Sequence, residues 1–210
     1  MSYNYFDIPS AILSLSATAL GVLNNPITWP ISLIGASVSF AMYYKANMLA
    51  HLAKESFYMG VMIYGWRNWT KKVNARNQTK KIEKMDPTLF YFSMMAIFVA
   101  GILSGYFLKV YYNSASPYQD SITTFLSMFA IVLTSKRIIQ CWIVWLFCDA
   151  ISISLFLNYA LYASATKCIV YTVVACIGYW HWNKIMKKQN QPAINENEYN
   201  AFSNACGTSG

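Results

Sequence analysis

The clearest chemistry in this chain lies at Trp142, Trp145 and Asp149, which stand at i, i+3 and i+7. On a helix that spacing puts two indoles and a carboxylate on one face. Such a stripe is half of a cage for a flat cationic ring. Each indole offers stacking and about 0.5–2 kcal/mol of cation–π attraction, and the carboxylate supplies countercharge and hydrogen-bond acceptors. The competing reading has Asp149 bonded to a neighbouring helix and the tryptophans at a lipid interface. A second stripe runs through Glu55, Tyr58, Met62, Trp66 and Trp69, with Gly65 inside it to let a neighbouring backbone approach. A third is Tyr171, Gly178 and Trp182. For Trp66 and Trp69 an aromatic belt is an equal alternative, and Glu55 beside Lys54 could be interfacial. The candidate substrate-binding residues are therefore Glu55, Tyr58, Trp66, Trp69, Trp142, Trp145, Asp149, Tyr171 and Trp182.

Other chemistry is hard to build from what remains. His51 and His181 are the only histidines, and both fall near the ends of apolar runs. The five cysteines show no metal-ligand spacing. No GxxxxGK[ST], HExxH or GxSxG occurs, so neither an ATP-driven pump nor a hydrolase is indicated. No cofactor, metal or catalytic residue is expected, and the chain is not read as an enzyme. Asp7 and Asp120 each precede an apolar run, where capping a helix N-terminus would account for them.

The stripes need helices to carry them, and composition says where those helices sit. Of 210 residues, 56% are apolar or aromatic and 11% are charged, against about 25% charged in soluble domains. So little charge cannot cover a water-facing surface, and the chain reads as an all-α integral membrane protein. Seven apolar stretches approach the ~20 residues a bilayer core requires: 9–23, 29–44, 48–66, 89–108, 122–135, 138–157 and 169–182. No cleavable signal peptide stands out, because no Lys or Arg comes before the first apolar run, and the first helix is expected to stay.

The net charge of +8 resolves into topology once it is placed. Twelve of the 16 basic residues fall after the third, fifth and seventh spans, leaving Lys45, Lys54, Lys109 and Lys167 for the other side. The positive-inside rule then puts the N-terminus outside and the C-terminus in the cytoplasm, in a cell (inner) membrane. The basic stretch 71–84 reads as a topogenic loop, not a nucleic-acid site. The Asn-rich tail reads as disordered.

The chain also repeats itself. Shifted by 113 residues without a gap, 5–72 align with 118–185 at 16 identities in 68 positions, among them Ser14/Ser127, Trp29/Trp142, Tyr58/Tyr171, Gly65/Gly178 and Trp69/Trp182. Spans one to three map onto five to seven. The organisation expected is 1–72 as a first three-helix repeat, 73–117 as a cytoplasmic basic loop and connector helix, 118–185 as a second repeat, and 186–210 as a disordered cytoplasmic tail. A 3+1+3 parallel internal repeat is an arrangement of transporters, with substrate near the midplane between the halves.

Several segments resemble the PnuC family of vitamin-precursor (nicotinamide riboside / thiamine) membrane transporters. They are Ile63-Tyr64-Gly65-Trp66-Arg67-Asn68-Trp69, Trp142-Ile143-Val144-Trp145-Leu146-Phe147-Cys148-Asp149 and Gly178-Tyr179-Trp180-His181-Trp182, with Asp120, Leu126-Ser127 and Lys136 also fitting. The resemblance spans about residues 7–184. It implies a SWEET-like seven-helix fold and a homotrimer. It also implies uptake of nicotinamide riboside by facilitated diffusion, made directional by a cytoplasmic vitamin kinase. Asp149 and Glu55 depart from the Asn and Gln expected in nicotinamide riboside members, which keeps thiamine, or another vitamin, as the alternative substrate. A non-transport membrane scaffold and a lipid-acting enzyme are the readings from other classes.

Overall fold

The computed structural model describes residues 4–45, 49–71, 81–112 and 116–190. Among these the chain forms seven helices: α1 (Asn4–Val22), α2 (Thr28–Lys45), α3 (Leu49–Thr70), α4 (Pro87–Tyr112), α5 (Pro117–Ser135), α6 (Cys141–Asn158) and α7 (Tyr162–Asn190). Each expected span corresponds to one helix, with 138–140 of the sixth lying in the turn before α6 and residue 48 of the third outside the described residues. Residues 72–80 of the basic loop and the tail at 191–210 lie outside the described residues, as do the side chains of Asp7 and His51.

The helices outrun the apolar stretches because intrahelical hydrogen bonds do not require apolar side chains. The largest difference is in α7, which continues to Asn190, so residues 186–190 are helix where tail was expected, and Met186 is buried there. Asp120 is also corrected. It sits inside the first turn of α5, where the macrodipole favours a negative charge; the capping position belongs to Ser116, whose side chain makes no capping bond. A side-chain cap does occur at α4, where Asp86 Oδ1 accepts from the Thr88 and Leu89 amides at 2.9 and 3.2 Å.

Packing arranges six of the helices in a closed ring, α1–α2–α3–α5–α6–α7 and back to α1, while α4 packs on the outside of α5. Glycines set the closest approaches. Gly101 and Gly105 let α4 lie against the backbone of α5 at Ile122 and Tyr118. Gly65 on α3 receives the indole of Trp29, and Gly178 on α7 receives that of Trp142. A short segment before α4 then straps the α5–α6 turn. Glu83 N–H donates to Arg137 O at 3.0 Å, and Ile139 N–H donates to Glu83 O at 3.1 Å.

Among the described residues two helices, Pro87–Tyr111 and Cys141–Asn158, are long and apolar enough by themselves to cross a membrane, with mean hydropathies of 1.8 and 1.7. The others carry serines, threonines and charged groups, several of them turned into the ring. On α4 the outward face is large and apolar: Phe92, Met95, Val99, Leu103 and Phe107 are all half or more exposed. That surface suits hydrocarbon.

Glycine at the two indole contacts is open to a direct test. A Cβ at position 65 would stand 2.6 Å from the Trp29 ring, and one at 178 would stand 2.7 Å from Trp142. Overpacking of this kind costs about 1–3 kcal/mol. Gly65→Ala and Gly178→Ala should each lower the thermal unfolding midpoint of the purified protein. Gly60→Ala, where nothing lies within 4 Å, should hold or raise it.

Candidate functional site

At one end of the ring four tryptophans join into a floor. Trp29 and Trp69 meet edge to face at 5.4 Å between centroids, Trp69 and Trp182 lie 5.8 Å apart, and Trp182 and Trp142 meet edge to face at 5.5 Å. Such pairs contribute about 0.5–1.5 kcal/mol each beyond their burial. Trp69 and Trp182 are fully buried and anchor the floor through their indole N–H groups. Trp69 Nε1 donates to Thr134 O at 3.2 Å, and Trp182 Nε1 donates to the carbonyls of Gly21 and Val22, both at 3.1 Å. Trp29 Nε1 and Trp142 Nε1 are buried without a hydrogen-bond partner. Those two indoles are held by packing, each on its glycine and edge to face against its neighbouring tryptophan.

Next to the floor lies a cavity of about 300 Å³, reached by residues of α1, α2, α3, α5, α6 and α7. Its walls combine the indoles of Trp29, Trp142 and Trp145 with Tyr171, Asp149 and Lys167, and with hydroxyls from Ser14, Thr18, Thr28, Ser32 and Thr134. A second cavity of about 210 Å³ shares Ser14, Ala17, Thr18, Ser32 and Met62 with the first and reaches Glu55 and Ser39. The space is thus two adjoining lobes, one carboxylate to each. Asp149 and Glu55 are 8% and 9% exposed, and neither forms a hydrogen bond or an ion pair among the described residues.

The sequence-predicted residues divide accordingly. Trp142, Trp145, Asp149 and Tyr171 line the larger lobe, and Glu55 lines the smaller. Tyr58 lines neither: its hydroxyl is bonded to Ser127 Oγ at 2.6 Å, across α3 and α5. Tyr171 makes the corresponding bond to Ser14 Oγ, also 2.6 Å, across α7 and α1. Trp69 and Trp182 belong to the floor. Trp66 is 45% exposed on the outer surface of α3 and is not brought to either lobe; it stands at the margin of its stripe, while Gly65 and Trp69 occupy the inward side. His181 is half-buried near the basic end of α7.

Sequence reasoning passed over Trp29, Ser14, Thr18, Ser32 and Lys167. The signal for most was the 113-residue offset itself, which pairs Trp29 with Trp142, Ser32 with Trp145 and Lys167 with Lys54. Among the described residues no group of three or more His, Cys, Asp or Glu could hold a metal ion.

Chemically, the lobes suit a small organic cation that also carries hydroxyl or amide groups. Asp149 and Glu55 offer two carboxylates inside the lobes, with Lys167 in the wall of the larger one and Lys54 beside Glu55, so negative groups face the space from both lobes. A phosphorylated ligand would bring more negative charge to carboxylates already short of partners, at a Coulombic cost that low dielectric magnifies.

Comparison with known proteins shows the family. The family model described as "Nicotinamide mononucleotide transporter" matches residues 4–184. The nicotinamide riboside transporter PnuC of Escherichia coli (strain K12) is 19% identical over 215 residues, which cover 91% of this chain and 90% of that one; the protein of the same name from Shigella flexneri matches equally. A crystal structure of the vitamin B3 transporter PnuC shares the fold, with a TM-score of 0.65 at 18% identity over 85% of this chain and 80% of that one.

An unpartnered buried carboxylate destabilises the empty protein. Asp149→Asn should therefore raise the unfolding midpoint of the ligand-free protein, at roughly 2–4 °C per kcal/mol gained. A carboxylate placed there to hold the fold would give the opposite sign.

Proposed function

Because the chain belongs to the nicotinamide mononucleotide transporter family, we propose that it takes up nicotinamide riboside across the inner membrane by facilitated diffusion. The family is one of transporters and not of enzymes. The observation that carries the substrate assignment is Asp149, buried and unpartnered beside Trp142 and Trp145 in the larger lobe. The pyridinium ring stacks on the indoles with its charge against Asp149 and Tyr171 beside it. The ribose hydroxyls reach the smaller lobe, where Glu55 and the serines accept and donate hydrogen bonds. Tyr58, Trp69 and Trp182 position this set rather than touch the ligand.

The riboside is favoured over the mononucleotide by charge. It brings a positive ring and no phosphate to the two carboxylates, Asp149 and Glu55. Direction comes from a cytoplasmic kinase that phosphorylates the entering vitamin, after which repulsion by Asp149 and Glu55 keeps the product from rebinding. Thiamine is the second reading: its ring is also cationic, and a carboxylate at Glu55 suits an amino group as well as a hydroxyl.

The architecture we propose is two parallel triplets, α1–α3 and α5–α7, joined by α4, as in SWEET-like transporters. What supports it is recurrence of contacts at the sequence offset of 113. The bonds Tyr58–Ser127 and Tyr171–Ser14 exchange places under it, and so do Trp69 to Thr134 and Trp182 to Gly21. With the basic residues inside, the N-terminus is extracellular and the tryptophan floor faces the cytoplasm. A homotrimer would cover part of the apolar face of α4.

Quenching of intrinsic tryptophan fluorescence tests the proposal. Nicotinamide riboside, nicotinamide mononucleotide, thiamine and riboflavin are titrated side by side into the purified protein. Saturable quenching by the riboside, weakened at least about tenfold (roughly 1.4 kcal/mol) by Asp149→Asn, is the expected result. A response to thiamine alone, weakened by the same substitution, would transfer the assignment to thiamine.

A further inference from the structure

Transport requires the tryptophan-closed end of the ring to open. Two turns bound that end, residues 23–27 between α1 and α2 and residues 136–140 between α5 and α6. They are related by the 113-residue offset and share a left-handed residue at the same place, Asn24 at φ 55° and Arg137 at φ 60°. Their surroundings differ sharply.

The α5–α6 turn is clamped from two sides. From the strap before α4, the Glu83 backbone bonds both Arg137 and Ile139. Gln140 closes a reciprocal pair with the Met85 backbone, accepting from its N–H at 3.1 Å and donating to its carbonyl at 2.7 Å. The strap is itself tied to α7, because Ile82 N–H donates to Gln189 Oε1 at 3.1 Å. From the end of α3, Asn68 Nδ2 donates to Ser135 O at 2.8 Å. The Arg137 guanidinium lies over the Trp69 ring at 4.7 Å and donates to Trp69 O at 3.3 Å. Arg137 and Ile139 are almost wholly buried as a result.

The α1–α2 turn has little of this. Among the described residues, the hydrogen bonds it receives from elsewhere in the chain come from Trp182 Nε1, onto the last carbonyls of α1. Leu23 and Ile27 are 61% and 53% exposed, and Asn24 Oδ1 is buried without a partner. Its remaining bonds are local to the turn.

We infer that the gate at this end is asymmetric: the α5–α6 turn is the fixed jamb, pinned by the strap and by Arg137 as a positioning residue, and the α1–α2 turn is the part that swings. Opening then costs the Trp182 bonds and the seat of Trp29 on Gly65, while Trp142 stays on Gly178. Trp29 is the floor residue that must move, giving up its edge contact with Trp69; its indole N–H, like that of Trp142, has no hydrogen bond to break.

Hydrogen–deuterium exchange on the whole purified protein, read by mass spectrometry, tests this without a label. In ligand-free protein the amides of 23–29 should exchange at least about tenfold faster than those of 136–142, as expected of the less stable local unit. Equal rates, or faster exchange at 136–142, would overturn the inference. Gln140→Ala, which removes two strap bonds, should bring 136–142 towards the rate of 23–29; no change would show that the strap is not the clamp. Arg137→Lys keeps the charge without the planar stack, and should loosen the same segment and leave 23–29 alone. Added nicotinamide riboside should slow 23–29 only. The ligand arm rests on the transport reading above: if the riboside changes neither turn while the ligand-free contrast holds, the substrate assignment fails and the asymmetric gate stands.

Discussion

An indole resting on a glycine, made twice, is the contact on which the rest of this structure depends. Trp29 on Gly65 and Trp142 on Gly178 bring α2 to α3 and α6 to α7 at the same end of the ring. They also place the two rings where Trp69 and Trp182 can bridge them. In a bilayer there is no hydrophobic effect to pull helices together, so close packing and internal hydrogen bonds must do it. Large flat rings on bare backbone supply the packing. They also seal one end of the ring with apolar surface, and the polar lining is confined to the two lobes beyond it.

That confinement gives the carboxylates their character. Asp149 and Glu55 sit among serines, threonines and indoles with Lys167 as the cation in the wall of the larger lobe. In water either carboxylate would interact weakly with a passing monocation. In a narrow, largely apolar enclosure the same attraction is several times stronger, and the empty site is correspondingly costly. On the reading proposed above, binding of a small cation relieves a cost the fold already bears. The price of such selectivity is a less stable resting protein.

How much of this was legible in the sequence follows from what kind of regularity each feature has. Helix number and order came from hydropathy, and the repeat marked the tryptophans, tyrosines and serines that recur in both halves without showing that they touch, because both signals are periodic in sequence and neither reports contacts. The wheel of α3 placed Trp66 on the site stripe, yet it stands at the stripe's margin, and a helical wheel does not show which edge of a stripe the neighbouring helices cover. Lys167 was read as a marker of topology and not as a wall of the cavity, since a basic residue near a span end has a sufficient explanation in charge distribution alone. The strap was illegible: Glu83 to Arg137 and Met85 to Gln140 join distant residues through backbone and amide groups, and no local pattern announces such a pairing.

The departures from the repeat are as informative as its identities. Under the offset, Asp149 corresponds to Ala36, Glu55 to Cys168, Trp145 to Ser32 and Arg137 to Asn24. The residues that hold the ring together, Trp, Gly, Tyr and Ser, are kept in both halves, because both halves solve the same packing problem. Among the residues lining the lobes, Trp29 and Trp142 match, whereas Asp149, Glu55 and Trp145 have no like counterpart; on the reading proposed above, a ring cation joined to a hydroxylated or amino-bearing arm has two unlike ends and needs such unlike walls. Once the two walls of the cavity are chemically distinct, the halves no longer have equal reason to move. On the inferred asymmetric gate, a clamp on the half that bears Asp149, Trp142 and Trp145 keeps that wall of the cavity assembled while the other half opens, so that the proposed site need not be rebuilt for the next ligand.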